Sequence, residues 1–190
     1  LKNRSNLEFA VYTRNNYDLI GPIATQGVGG QVIRYGNNAS MKGWGQEVTI
    51  SSKNILKKDF KWETNFIFAH NETEITSLYS QDRTIDLIKN FGGKKVGYPV
   101  NALFSIPFMG LTEEGLPQLL TENGDITTWD INFQERDQTD YLKYEGTTKP
   151  VFPGSLGNIF TYKGFRLNVF ITYSFGNVVR LDPVFSAHYT

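Results

Sequence analysis

From Phe165 to Phe175 the chain alternates between two kinds of side chain. Phe165, Leu167, Val169, Ile171, Tyr173 and Phe175 fall on one side of an extended strand. Arg166, Asn168, Thr172 and Ser174 fall on the other, with Phe170 as the one apolar intruder. A minimal turn at Lys163-Gly164 joins this run to a second alternating run at 155–162. A face that is apolar throughout and closed by aromatics at both ends is the pattern of a membrane-barrel strand. A half-buried strand of a soluble sandwich alternates in the same way. The pattern alone leaves both architectures open.

Three earlier runs share this character. The first, 6–20, places Leu7, Phe9 and Val11, then Tyr17 and Leu19, on one face and is expected to stop at Gly21-Pro22. The second, 41–56, sets Trp44, Val48 and Ile50 against Glu47, Thr49 and Ser51. The third, 60–75, sets Phe60, Trp62, Phe66 and Phe68 against Lys61, Glu63, Asn65 and Asn71. Polar turns at 57–59 and 163–164 are very short, whereas loops 21–40 and 76–154 are long, and 76–154 has no sustained period. Short turns on one side and long loops on the other are the habit of outer-membrane barrels. The turns at 57–59 and 163–164 should therefore lie at one end of the sheet, and the long loops at the other. Five strands are too few to close a membrane barrel, which takes about eight or more. The expectation is a segment of a larger barrel, its outer strands paired with neighbours before Leu1 and after Thr190.

Composition narrows the classes. Lys+Arg and Asp+Glu balance at 19 each, so no overall field draws the chain to nucleic acid. There is no cysteine, hence no disulfide framework and no thiolate site. No apolar stretch approaches the ~18 residues of a membrane helix, which says nothing against a barrel.

Several segments, read in order, resemble the C-terminal barrel portion of SusC/RagA-type TonB-dependent transporters, the nutrient importers of Bacteroidetes. Asn37-Asn-Ala-Ser-Met-Lys-Gly-Trp44 is similar to the family segment that leads into a strand, with Ala39 and Lys42 where Gly and Asn are usual. Asp59-Phe-Lys-Trp62 and Asn65-Phe-Ile-Phe-Ala-His-Asn71 are similar to its aromatic strand. Gly97-Tyr-Pro99 with Met109-Gly-Leu-Thr-Glu-Glu-Gly-Leu-Pro117 resembles its loop signature. Tyr141-Leu142, Lys149-Pro150 and Gly154 to Asn177 resemble its closing hairpin, with Tyr144-Glu145-Gly146 and Ser155-Leu156 departing from the commoner Gly-Gly-Phe. The resemblance implies an all-β fold: five antiparallel strands of a 22-strand transmembrane barrel with long extracellular loops. It further implies a plug domain and a final strand outside these residues, and an outer-membrane location. The implied partners are a SusD-like surface lipoprotein, TonB acting through the plug, the rest of the barrel and outer-membrane lipid. The implied cargo is a glycan or oligopeptide.

Candidate chemistry is sparse. His70 ends an aromatic strand face and His188 sits in the last loop, neither with a nucleophile nearby in sequence. Glu113-Glu114 and Glu122, Asp125 and Asp130 are scattered loop carboxylates, so no catalytic pair and no enzyme is expected. Glu122, Asn123 and Asp125 lack the full calcium-loop spacing and read as a turn at Asn123-Gly124. Gly27-Val-Gly-Gly30 has no following Lys-Ser/Thr and is no phosphate loop. No cofactor is expected. Loop aromatics Tyr98, Trp129, Phe133, Tyr141 and Tyr144 are candidates to meet a substrate or partner, though packing of the loop on itself accounts for them too. Trp62, Phe66, Phe68, Leu167, Val169 and Ile171 are the expected lipid-facing set. An arginine at Val169 is expected to cost about 2–4 kcal/mol if that position lies at the bilayer midplane. The rival from another class is a secreted β-sandwich that binds carbohydrate.

Overall fold

The computed structural model describes residues 4–24 and 33–181. The glycine run at 27–30 and His188 lie outside the described residues. Ten strands follow in order: β1 (Ser5–Ala24), β2 (Ile33–Leu56), β3 (Phe60–Leu78), β4 (Ala102–Ser105), β5 (Phe108–Leu111), β6 (Pro117–Leu120), β7 (Ile126–Thr127), β8 (Lys143–Thr147), β9 (Phe152–Tyr162) and β10 (Phe165–Phe175). A one-turn helix, α1 (Thr84–Leu87), lies between β3 and β4. The chain divides into two compact units: one holds 1–80, 95–100 and 150–176, the other 81–94, 101–149 and 177–190.

The first unit is a five-stranded antiparallel sheet in the order β1-β2-β3-β9-β10. Its strands outrun the alternating pattern. β1 passes through Gly21-Pro22 to Ala24, and β2 begins at Ile33, so the described parts of 21–40 are strand, not loop. Pro22 pairs opposite Tyr35 without ending β1, because an edge strand tolerates a residue that lacks an N–H. A bulge between Asn16 and Leu19, with Asp18 at φ 54, inserts one residue. It carries Leu19 to the face opposite Leu7, so the single face expected for both does not hold.

Both ends of the sheet follow the expected orientation. The amide of Lys163 donates to the Asp59 carbonyl at 3.1 Å, which sets the two tight turns side by side. At the other end Ala39 pairs with Leu78, and the Tyr79 amide donates to the Asn38 carbonyl at 2.7 Å. Buried Asn38 also takes the Ser80 amide on its side-chain oxygen at 3.2 Å, holding the chain as it leaves β3.

The second unit corrects the picture of 76–154 as irregular. β4 and β8 pair, β5, β6 and β7 form a small meander, and α1 sits against β4. Phe104 on β4 is fully buried with Leu87, Ala102, Leu103 and Leu142, and its ring meets Tyr144 at 5.6 Å. The Thr84 and Ile85 amides donate to the Glu135 and Phe133 carbonyls, which ties the start of α1 to the 129–138 segment. At the same helix end the Arg83 amide and guanidinium both donate to the Asp86 carboxylate, at 3.4 Å and 2.8 Å. Val178 continues this unit, its amide donating to the Thr147 carbonyl at 2.9 Å.

Candidate functional site

Register fixes what each face of the large sheet carries, because paired residues point the same way. One row across the five strands is Leu7, Ile50, Phe66, Leu156 and Ile171; the next is Phe9, Val48, Phe68, Gly154 and Tyr173. Toward the tight turns come Trp62, Phe160 and Leu167, then Phe60, Tyr162 and Phe165. The six residues Trp62, Phe66, Phe68, Leu167, Val169 and Ile171 thus lie on a single face. Its apolar side chains are open to the surroundings: Leu7 is 67% exposed, Phe9 63%, Leu167 60% and Ile171 55%. Charge enters this face only beyond it, at Glu72 and at a Lys42–Glu74 pair 3.0 Å apart on the long-loop side.

The opposite face is polar. Asn6, Glu8 and Arg14 on β1, Glu47 and Thr49 on β2, Glu63 and Asn65 on β3, and Asn168, Thr172 and Ser174 on β10 share it. Phe170, the apolar intruder, lies across Gly157, where a methyl group would come within 2.8 Å of its ring. Tyr12 crosses Gly45 in the same way, and its hydroxyl donates to the Asn71 side chain. Each glycine is needed because a large ring lies flat where its side chain would stand. An open hollow of about 310 Å³ on this face is lined by Arg4, Asn6, Ser51, Lys53, Glu63 and Asn65 among others.

His70 belongs to the apolar face. It is 7% exposed and packed at 4.8 Å from both Trp44 and Phe152, with Nε2 3.1 Å from Glu72. That is a packed aromatic cluster with no nucleophile in it. The loop carboxylates do not converge: no group of three or more His, Asp or Glu able to hold a metal forms among the described residues. Glu122, Asn123 and Asp125 form the β6–β7 turn, in which the Asp125 amide donates to the Thr121 hydroxyl at 3.1 Å.

The five loop aromatics divide between the two units. Tyr98 is half-buried in the sheet unit, its carbonyl accepting from Ile75 at 2.9 Å and its ring 5.6 Å from the Lys95 ammonium. The other four lie in the second unit. Trp129 is 87% exposed, Phe133 is partly exposed beside α1, and Tyr144 packs on Phe104. The Tyr141 hydroxyl is buried facing Thr84, short of a well-formed hydrogen bond; burial pushes its phenol up, and the charges of Glu122 and Glu135 add to this. The sequence reading did not single out a polar row on the apolar face, formed by Ser5, Ser52, Thr64 and Asn158. Its signal was a polar residue at the apolar parity of two strands: Thr64 between Trp62 and Phe66, and Asn158 between Leu156 and Phe160.

No protein-family model matches the chain. It is 27% identical over 191 residues to TonB-dependent receptor P3 of Formosa agariphila, covering 93% of this chain and 19% of that protein. It is 28% identical over 161 residues to TonB-dependent receptor SusC of Bacteroides thetaiotaomicron, covering 77% of this chain and 15% of that one. The chain therefore spans less than a fifth of the length of these curated relatives. Among solved structures it resembles the RagAB peptide importer in the 'closed-closed' state, with TM-score 0.70 and 21% identity over 93% of this chain and 20% of that chain. A second structure of the RagAB peptide transporter gives TM-score 0.71 at 20% identity, over 93% of this chain and 19% of that chain. The chain is thus SusC/RagA-like, and its fold is that of consecutive strands from such a barrel.

Proposed function

We propose, from this chain's likeness to SusC/RagA-type TonB-dependent transporters, that it forms part of the wall of an outer-membrane importer. The observation that carries the reading is the two-faced sheet. One side presents an uncharged, aromatic-rich surface several rows deep, and the other presents Glu, Arg, Asn, Ser and Thr. From Phe60 to His70 the apolar face runs ten residues along β3, roughly 33 Å of strand at ~3.3 Å each. At the ~40° tilt of barrel strands that is about 25 Å of depth, the height of an outer-membrane apolar band. In this reading Trp62, Phe66, Phe68, Leu167, Val169 and Ile171 face lipid, and the polar side lines the lumen. The outer edges of β1 and β10 pair with further strands of the longer protein.

The cargo is a glycan or oligopeptide, taken up with a SusD-like surface lipoprotein and driven by TonB through a plug. Trp129 and Phe133, the more exposed loop aromatics of the second unit, are the first candidates to meet cargo or lipoprotein, with Tyr98, Tyr141 and Tyr144 behind them. The chain carries no catalytic role. The test is nutrient uptake in the bacterium that encodes the full-length protein. Deleting its gene should abolish TonB-dependent growth on one class, oligosaccharide or oligopeptide, and restoring the gene should restore it. Growth unaffected on both, with the protein recovered in the soluble secreted fraction, would replace the importer by a secreted carbohydrate-binding protein.

A further inference from the structure

The β5–β7 meander is the part of the loop unit that the Phe104 core does not cover. Phe108 pairs with Leu119 and Leu111 with Pro117, so these four side chains share one face of the meander. None of them is buried: Phe108 is 61% exposed and Leu111 62%. Met109, at the bulge in β5, and Leu116, just before β6, are exposed as well. β4, β8 and α1 pack on one another as a separate cluster, while the three short strands pack among themselves. A sheet built from strands of two to four residues does not bury an apolar face alone. Such a face is completed by another element or by another molecule.

The charge around this face is of one sign. Between Lys95 and Arg136 the chain has no lysine and no arginine. Glu113 and Glu114, in the β5–β6 turn, and Asp125, in the β6–β7 turn, are exposed and close the two ends of the meander. None of the three has an ion-pair partner among the described residues. Carboxylates at both ends keep the face out of hydrocarbon and repel anionic headgroups and nucleic acid. A sugar would find little to bond, because Phe108, Leu111, Pro117 and Leu119 carry no polar side-chain atom. An apolar centre inside a charged rim is the anatomy of a protein–protein contact. A rim of carboxylates alone selects a partner whose own rim carries lysine and arginine. We infer that the β5–β7 meander is a docking surface for a folded partner protein, which seats Phe108, Leu111, Pro117 and Leu119 against an apolar patch ringed by basic side chains. The occupant is the surface lipoprotein of the importer proposed above, and the inference rests on that reading.

The full-length protein, carrying a photoreactive residue at Phe108 or at Leu111 and irradiated in intact cells, tests it. The expected product is a cross-link to a surface lipoprotein, identified by mass spectrometry. No cross-link, or one only to the protein's own chain, to cargo or to a second copy, overturns the site. Charge reversal checks the rim. Glu113→Lys combined with Glu114→Lys should slow association with the purified lipoprotein about tenfold at low salt, a difference that fades as salt rises. Leu111→Asp should lower the lipoprotein retained by the purified protein at any salt. Both variants should keep the wild-type proteolysis pattern of 81–149, because neither touches the Phe104 core. Unchanged association and retention in these variants, with the lipoprotein still bound to the wild type, overturn the site alone. A full-length wild type that binds no lipoprotein overturns the proposed partnership and the site with it.

Discussion

The sheet and the loop unit invert the usual relation between pattern and burial. The sheet has long, regular alternation, yet of the buried hydrophobic side chains among the described residues it holds only Ile23 and Ile75. The loop unit has no sustained period, yet it holds Leu87, Ala102, Leu103, Phe104 and Leu142. Periodicity reports which side chains share a face; it does not report what that face meets. The loop unit packs one group of apolar side chains around Phe104, as a domain in water must, while Phe91, Phe108, Leu111 and Ile126 stay exposed. The sheet leaves Leu7, Phe9, Leu167 and Ile171 more than half exposed, which is costly in water and favourable in lipid.

This contrast can be broken from either side. The largest expected effect is Phe104→Ala in the full-length protein, which empties the centre of the loop core and should cost about 3–5 kcal/mol locally. Limited proteolysis should then cut within 81–149 while the sheet stays protected; parallel loss of both would mean the units share one core. Next come arginines on the sheet, where register refines the depth of each position. Val169 shares its row with Asn158 and Thr64, four residues in from Phe60 along a band that ends at His70, so it lies close to the midplane. Val169→Arg should cost about 2–4 kcal/mol, and Phe165→Arg, in the Phe60 row at the margin, about 0–1 kcal/mol, as depth dependence in a bilayer requires. Reversible folding into vesicles measures both, and equal costs would remove the depth argument.

Smaller effects test the packing between strands. Gly154→Ala would drive a methyl group into the Tyr173 hydroxyl, which crosses the glycine to donate to the Ile67 carbonyl at 3.1 Å. The displaced ring should cost about 1–3 kcal/mol, seen as a lower unfolding midpoint. The smallest effect concerns acid and the loop unit only. Burial would raise the Asp86 carboxyl, but hydrogen bonds and charge from Arg83 and Lys89 outweigh it and hold it at about 2, below the ordinary 3.8. Its stabilising contribution is therefore complete above the ordinary value and fades as pH falls toward 2. Asp86 is 24% exposed, so the contribution is on the order of 1 kcal/mol. Protease resistance of the loop unit should decline between about pH 4 and 2, and Asp86→Asn should flatten that decline. An unchanged decline would assign it to other carboxylates.

What the sequence made legible follows from element length. Strands of eleven residues or more, such as β3 and β10, repeat their alternation often enough to fix which residues share a face. Elements of two to five residues, such as β7 and β4, do not complete enough periods to be read, and their pairing rests on contacts distant in sequence. Gly21-Pro22 signalled a stop that the edge position of β1 overrode. The bulge at Asp18 flipped Leu19, because one inserted residue exchanges the two faces. The loop aromatics were legible as a group only by composition, and their separate environments depend on which unit each segment joins. The polar row escaped because each of its members is one ordinary polar residue in its own strand; only cross-strand register brings them together.

The central claim is that the apolar face of the sheet meets lipid, and β10 offers the most direct measurement. These 190 residues hold no cysteine, so single cysteines at successive positions from Arg166 to Ser174 can carry spin labels in the full-length protein in bilayers once any cysteine elsewhere in it is replaced. Collision with oxygen, which dissolves in lipid, is compared with collision with a water-soluble nickel complex. The account predicts a period of two: oxygen dominant at Leu167, Val169, Ile171 and Tyr173, and low oxygen contact at Asn168, Phe170 and Thr172. A flat profile, or nickel dominant at Ile171, would contradict it.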